Sequence, residues 1–219
     1  MRGARARDFA VARSLAIAAA CFALLLSGCP KKPPAPAPAP PAPAPAPAPA
    51  PTWIEPSACK RVERLDVRKR ERALFATCAG GGQMRFPIAL ARGRGAKRVR
   101  GDEKMPEGDY RIAGPARKSG RFHLFIPIDY PSRADADRAL AAGLIGKGEH
   151  AAIAKAHAKR RMPPQDTALG GALGIHGEGP RWRGDLDLDW TQGCVAVSDA
   201  AIEQLARLVR VGTPLHIAP

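Results

Sequence analysis

The stretch "PPAPAPAPPAPAPAPAPAP", Pro33 to Pro51, decides where this chain can fold and where it cannot. Proline has no backbone N–H, and its ring fixes φ. With a proline at nearly every second position, neither a helix nor a sheet ladder can form. Such a stretch favours extended polyproline II, and at ~3.1 Å per residue it reaches about 60 Å. It is a semi-rigid spacer. It separates a leader from one candidate domain, and the region from Thr52 to Pro219 has the length of a single domain.

The leader reads as an export signal. Arg2, Arg5, Arg7 and Arg13 form a positive start, and an apolar run follows from Ser14 to Leu26. That run is too short for a permanent membrane span. It ends in "LSGC", Leu26 to Cys29, where small residues mark a cleavage site. The string resembles a bacterial lipobox, whose cysteine is lipidated after cleavage; the plainer alternative is a signal peptide that contains a cysteine. On the lipobox reading, residues 1–28 are removed, Cys29 carries the lipid, residues 29–51 form the linker and residues 52–219 the folded domain. The protein is then expected to be a periplasmic lipoprotein, anchored rather than spanning. Pro30 rather than aspartate after Cys29 resembles outer-membrane sorting.

The formal charge is +15, concentrated in "RKRER" (Arg68 to Arg72), "ARGRGAKRVR" (Ala91 to Arg100) and "AKRR" around Lys159. A basic surface can bind nucleic acid, but an exported chain does not meet it. An anionic cell wall or membrane surface is the expected partner class, and solvated loops are the bland account of each single cluster.

Export also places the cysteines in an oxidising compartment. Beyond the leader they are Cys29, Cys59, Cys78 and Cys194. With Cys29 lipidated the rest are odd in number, so one thiol stays free or pairs between chains. Cys59 and Cys78 flank a hairpin pattern, "CKRVERLDVRKRERALFATC", with "RKRE" as its turn. Leu65 and Val67 share parity with Cys59, and Leu74 and Ala76 share parity with Cys78, so all six can lie on one face. A Cys59–Cys78 disulfide is geometrically reasonable and would leave Cys194 as the free thiol.

Short strand-like runs dominate the domain: "RVERLDV", "ALFATC", "RFPIAL", "DYRIAG" and "RFHLFIPI", punctuated by Pro and Gly. Between Ala134 and Arg161 the texture becomes Ala-rich and helical, split at Gly146 and Gly148 and stopped by Pro163 and Pro164. "ALGGALGIHG" returns to a glycine-framed strand, and "GCVAV" is another. Ser198 can N-cap a helix whose apolar stripe is Ile202, Leu205, Leu208 and Val209. The fold class expected is mainly β with a helical insertion.

A nucleophilic cysteine needs a base, something to orient the base, and donors for the oxyanion. Of the five histidines, His123 and His216 lie in apolar runs and His150 and His157 on the Ala-rich segment. His176 alone is framed by glycine. Gly177 permits a sharp turn and can offer its carbonyl to the ring, and Gly193 permits a tight turn before Cys194. The amides of Gly193 and Cys194 can then face a developing oxyanion. The bland account of Cys194 is an inert buried thiol. The spacing of Asp185, Asp187 and Asp189 suggests calcium, but "GDLDLDW" is more simply a loop or strand with one polar face, and no metal is expected.

"IHG" followed by "TQGCVAV" resembles the signature of the L,D-transpeptidase catalytic domain of the YkuD type. "FPIALARGRGAKRVRGDEKMPEGDYRI" is similar to a family segment, with Met105 where threonine is usual. "FIPIDYPSRADADRA", "LGGALGIHG" and "DWTQGC" resemble the YafK-like branch. The resemblance covers about Lys60 to Ile217 and implies the catalytic fold of that family. Gln192 stands where histidine is common in the wider family, and Ala196 where arginine is common. The missing arginine removes a cationic partner for a substrate carboxylate.

The resemblance implies acyl transfer at meso-diaminopimelate of peptidoglycan stem peptides, without metal or cofactor. Cys194 is the nucleophile, His176 the base and Gly177 its orienting carbonyl. The amides of Gln192, Gly193 and Cys194 serve the oxyanion. Thr191 and Trp190 are candidates to line the site, with a core position the equal alternative for Trp190. An amine acceptor gives a cross-link. Water gives hydrolysis, as in branch members that cut the bond between diaminopimelate and the lysine of a wall-attached lipoprotein. A tethered domain that binds the wall without catalysis is the alternative from another class.

Overall fold

The computed structural model describes residues 52–55, 58–180, 184 and 187–219. The signal peptide, Cys29, the Pro/Ala linker up to Pro51 and Asp185 lie outside the described residues. None of the described helices is long and apolar enough to cross a membrane.

The chain enters its fold through a hairpin. Strand β1 (Val62–Arg68) turns over four residues into β2 (Ala73–Cys78). The register sets Val67 against Leu74 and Leu65 against Ala76, so the alternating apolar residues share one buried face. In the charged turn Arg70 and Glu71 stay in water, whereas Lys69 folds back onto Glu107 and the Gly95 carbonyl and Arg72 pairs with Asp189. Cys59 lies ahead of β1 rather than within it, beside a bulge in the ladder, and it bonds Cys78 with Cα atoms 5.7 Å apart.

Strands β3 (Gln83–Pro87) and β4 (Gly108–Arg111) and the last strand, β9 (Pro214–Ala218), complete the first sheet. Its order is β3-β2-β1-β9-β4, with β1 and β9 parallel. The second sheet takes β5 (Arg117–Ser119), β6 (His123–Pro127), β7 (Gly174–His176) and β8 (Val195–Ala196), in that order. An isolated bridge between Ala89 and Ala196 ties the segment after β3 to β8. Leu65, Ile126, Ile175, Ile202 and Leu205, all fully buried, belong to one continuous core.

The helical insertion consists of α1 (Arg133–Ala141) and α2 (Lys147–Ala158). Ser132 and Asp135 form a capping box that starts α1. The break falls at 142–146, where Gly143 takes φ +69°. Gly146 caps α2, while Gly148 sits inside its first turn rather than at the split. The helix ends at Ala158, before the two prolines, as Arg160 adopts a left-handed φ of 51°. Helix α3 (Asp199–Leu208) is capped by Ser198, whose hydroxyl accepts from the Ala201 amide. It buries Ala201, Ile202 and Leu205 and packs on β6 and β7. The described residues are mainly β with a helical insertion.

Candidate active site

The site follows from the pairing of two very short strands. β7 and β8 are parallel, with Ile175 opposite Val195 and His176 opposite Ala196. Cys194 is the residue ahead of β8, and side chains alternate along an extended chain. Two positions before Ala196, it therefore falls on the same face as His176. Both residues line one cavity of about 550 Å³.

The turn that delivers Cys194 is tightly held. Thr191 is buried, and its hydroxyl donates to the Cys194 carbonyl (2.7 Å) while accepting from the Gly193 amide (3.4 Å). Its own backbone bonds Leu90 and Arg92. Gly193 takes φ +130°, and a Cβ there would stand 2.8 Å from the Lys104 carbonyl oxygen, so both conformation and space require glycine. Gln192 is exposed at the cavity wall. The Thr191 side chain is thus engaged in bracing the turn, and the Gly193 amide points to Thr191 in this arrangement.

His176 is buried, 1 % exposed. Its Nδ1 lies 2.7 Å from the Gly177 carbonyl oxygen. A carbonyl can only accept, so Nδ1 carries the proton and Nε2 keeps its lone pair. The ring stacks on Phe122, with centroids 4.0 Å apart and planes 19° from parallel, and Trp190 stands at 5.5 Å. Gly177 has no left-handed φ; the sharp turn inferred from its sequence context is not the reason for glycine. A Cβ at Gly177 would meet Asp199 Oδ1 at 2.4 Å. That carboxylate, at the start of α3, accepts from the Gly179 amide (3.0 Å) and holds the chain after His176.

The other four histidines are engaged elsewhere. His123 bonds Glu203, His150 bonds Asp137, His157 bonds the Pro131 carbonyl, and His216 bonds Asp109. None of them lines this cavity.

Burial sets the protonation of the pair. It pushes the His176 imidazole down to about 4; the nearby Arg121 charge acts the same way, and the Gly177 bond opposes both. Cys194 is half-buried, and desolvation pushes its thiol up to about 11, against the pull of the Gly174 amide and the charges of Arg121 and Lys97. At neutral pH the resting site therefore holds a thiol and a neutral imidazole.

The segment around Asp102, which the sequence marks as a basic cluster and as part of the resemblance to the family, lines the same cavity through Arg92, Lys97, Arg100, Gly101 and Glu103. Asp102 accepts from the amides of Arg98 (2.7 Å), Val99 (3.1 Å) and Lys104 (3.2 Å) and from Lys97 Nζ (2.9 Å). Burial opposes its charge, but these donors win and hold its carboxyl below the usual range. Arg100 clamps the loop to the Thr167 carbonyl with two bonds. The signal in the sequence was a single aspartate among many cations, which has no local periodicity. No cluster of three or more potential metal ligands occurs among the described residues.

A thiol, an oriented imidazole and a glycine-framed turn on one cavity define a site suited to covalent acyl transfer. The chain belongs to the L,D-transpeptidase catalytic domain family of the YkuD type, which matches residues 63–217. Among solved structures it is similar to the helical cell shape determining protein Pgp2 of Campylobacter jejuni, with 17 % identity and a TM-score of 0.47 over 71 % of this chain and 47 % of that one. It is similar to Bd1075 of Bdellovibrio bacteriovorus at 20 % identity and a TM-score of 0.42, over 76 % and 50 % of the two chains. It is also similar to an L,D-transpeptidase from Mycobacterium smegmatis at 11 % identity and a TM-score of 0.43, over 72 % and 59 %. The chain spans about half the length of the first two. No curated protein matches it.

Proposed function

We propose that this protein is a cysteine acyltransferase of the cell wall, acting at meso-diaminopimelate of peptidoglycan stem peptides. The observation that carries the reading is His176: a buried imidazole, protonated on Nδ1 by its bond to Gly177, on the same cavity as Cys194. In the reaction, Cys194 Sγ attacks the amide carbonyl at the L-centre as His176 Nε2 takes the thiol proton. The backbone amides of Gln192 and Cys194, on either side of the Gly193 amide that Thr191 engages, hold the oxyanion. The C–N bond breaks, the leaving amine takes the proton from His176, and a thioester remains on Cys194. An amine acceptor then yields a cross-link, with the thiol restored; water yields the free acid by the same residues.

The leader supports a second element of the proposal. "LSGC" after a short apolar run favours lipidation at Cys29, with the Pro/Ala stretch carrying the domain away from the membrane toward the wall.

The test is mass spectrometry of muropeptides after incubation with the pure protein. Wild type is expected to form new cross-linked or trimmed species, and Cys194→Ala none. Loss of a positioned base at His176→Ala should slow acylation ~10²–10⁴-fold. A folded wild-type protein that pulls down peptidoglycan yet never acylates Cys194 would replace the enzyme by a wall-binding domain.

A further inference from the structure

A second cavity, of about 400 Å³, shares no residue with the one that holds Cys194 and His176. Its walls come from the end of β4, the turn that closes α2 and the turn before β9. Arg111 lines it from the first, and Arg160 and Arg161 from the second. All three are exposed, and among the described residues no hydrogen bond or ion pair engages their guanidinium groups. The one carboxylate in the lining, Asp129, is already met. Its Oδ1 accepts from the Arg111 backbone amide at 2.6 Å, and its Oδ2 lies 3.6 Å from Nδ1 of His157. Three cationic forks thus share one cavity in which the protein supplies no anion for them.

Arg160 stands there against its backbone preference. Its amide bonds the His157 carbonyl (3.0 Å) and the Arg161 amide bonds the Ala156 carbonyl (2.9 Å), the paired closure that ends α2. That closure puts residue 160 at φ 51°, a left-handed position that glycine takes without strain and an L side chain does not. Cations beyond a helix C-terminus favour its dipole, which is the bland account of Arg160 and Arg161. Lys159 at the cap already supplies such a cation, and Arg111 comes from a strand. Two exposed apolar side chains, Met162 and Val211, line the same cavity. Free forks beside uncovered apolar surface suit a ligand that is both anionic and apolar.

We propose that this cavity is a second binding site, for the phosphate monoester headgroup of a lipid. A phosphate monoester carries about −1.5 to −2 charges at pH 7 and three terminal oxygens, enough to engage three forks. A carboxylate offers one charge and two oxygens. The apolar chain of the lipid covers Met162 and Val211, which water leaves unsatisfied. The site is independent of the chemistry at Cys194. It gives the domain a hold on a phosphate-bearing surface that does not depend on a lipid at Cys29.

Hexyl phosphate is the probe, titrated by calorimetry into the full-length protein in neutral detergent, with inorganic phosphate and hexanoate beside it. Hexyl phosphate should bind about tenfold or more tighter than either. Arg160→Gly removes one fork at a position where glycine suits the backbone. The urea midpoint should therefore hold or rise while affinity for hexyl phosphate falls about tenfold or more. Arg111→Gln should lower it by a similar factor from the other wall. Lys159→Gln removes a neighbouring cation that does not line the cavity, and should change it by less than about twofold. A loss in Lys159→Gln as large as in Arg160→Gly would mean a diffuse positive face and overturn the site. So would an affinity that survives both Arg111→Gln and Arg160→Gly, or no binding of hexyl phosphate. Inorganic phosphate bound as tightly as hexyl phosphate would replace the lipid by a free phosphate, and hexanoate bound as tightly would replace it by a carboxylate ligand. Either result overturns the proposal.

Discussion

Alkylation of Cys194 tests the resting state of the pair. An ordinary thiol with the reference value of 9.0 is about one part in a hundred thiolate at pH 7. With the thiol pushed up to about 11, the fraction falls to about one in ten thousand. Because the thiolate is the nucleophile, iodoacetamide should label Cys194 in the folded protein about a hundredfold more slowly than in the urea-unfolded chain at the same pH. The assay is peptide-resolved mass spectrometry of labelling against time, from pH 5 to 11, with the unfolded chain as its internal reference. The Cys59–Cys78 bond keeps those two sulfurs silent. The sign is fixed by the shifts: the rate should rise about tenfold per pH unit toward 11, with no step near 6.5. A fast plateau between pH 5 and 8 would refute the reasoning, since it would mean that a thiolate and an imidazolium already exist without substrate.

The same burial sets an acid limit on stability. His176 is pushed from 6.5 to about 4, so the unfolded chain binds the extra proton; its contribution is complete above 6.5 and lost as pH falls toward 4, about 3 kcal/mol in all. Urea unfolding curves of wild type and His176→Gln should converge by that amount between pH 7 and 4. Reducing Cys59–Cys78, which closes a sequence separation of 19, should cost about 3 kcal/mol, read as a shift of the urea midpoint on adding dithiothreitol. Gly177→Ala forces a Cβ to 2.4 Å from Asp199 Oδ1, and overpacking of this kind costs ~1–3 kcal/mol. Thioester formation should fall with it, and rescue by shortening the opposing side chain, Asp199→Ala, would separate crowding from lost orientation.

Local patterns made part of this molecule legible. The β1–β2 hairpin could be read because four charged residues interrupt two stretches of period-two apolar residues. Helix α3 could be read because a serine cap precedes a clear apolar stripe. The parallel pairing of β1 with β9 was not legible, since strands from opposite ends of the domain leave no mark on each other's sequence. The site divides the same way. Glycines around His176 and Cys194 drew attention to both residues, but the reason for Gly177 is Asp199 across the fold, not the local turn. The Phe122 stack and the Arg100–Thr167 clamp are contacts between segments distant in sequence, and neither has a periodicity to betray it.

The β7–β8 pairing explains why so little strand is enough. A one-residue slip in register would turn every side chain of one strand to the other face. Here a two-residue strand must present Cys194 on the face of His176, and so short a ladder cannot secure its own register. The surroundings do so instead. Ala196 is bridged to Ala89 on its other side, the Val197 amide bonds the His176 carbonyl, and Thr191 clamps both Gly193 and Cys194. Beyond them, Ser198 begins α3, which packs back on β7 and sends Asp199 to the Gly179 amide. The thiol and the imidazole are therefore placed by one continuous path of chain. It runs from the bracing turn through Cys194 and β8 into a helix whose first carboxylate fixes the loop that follows His176. Precision at the reacting atoms comes from closure of that path, not from the strength of either strand.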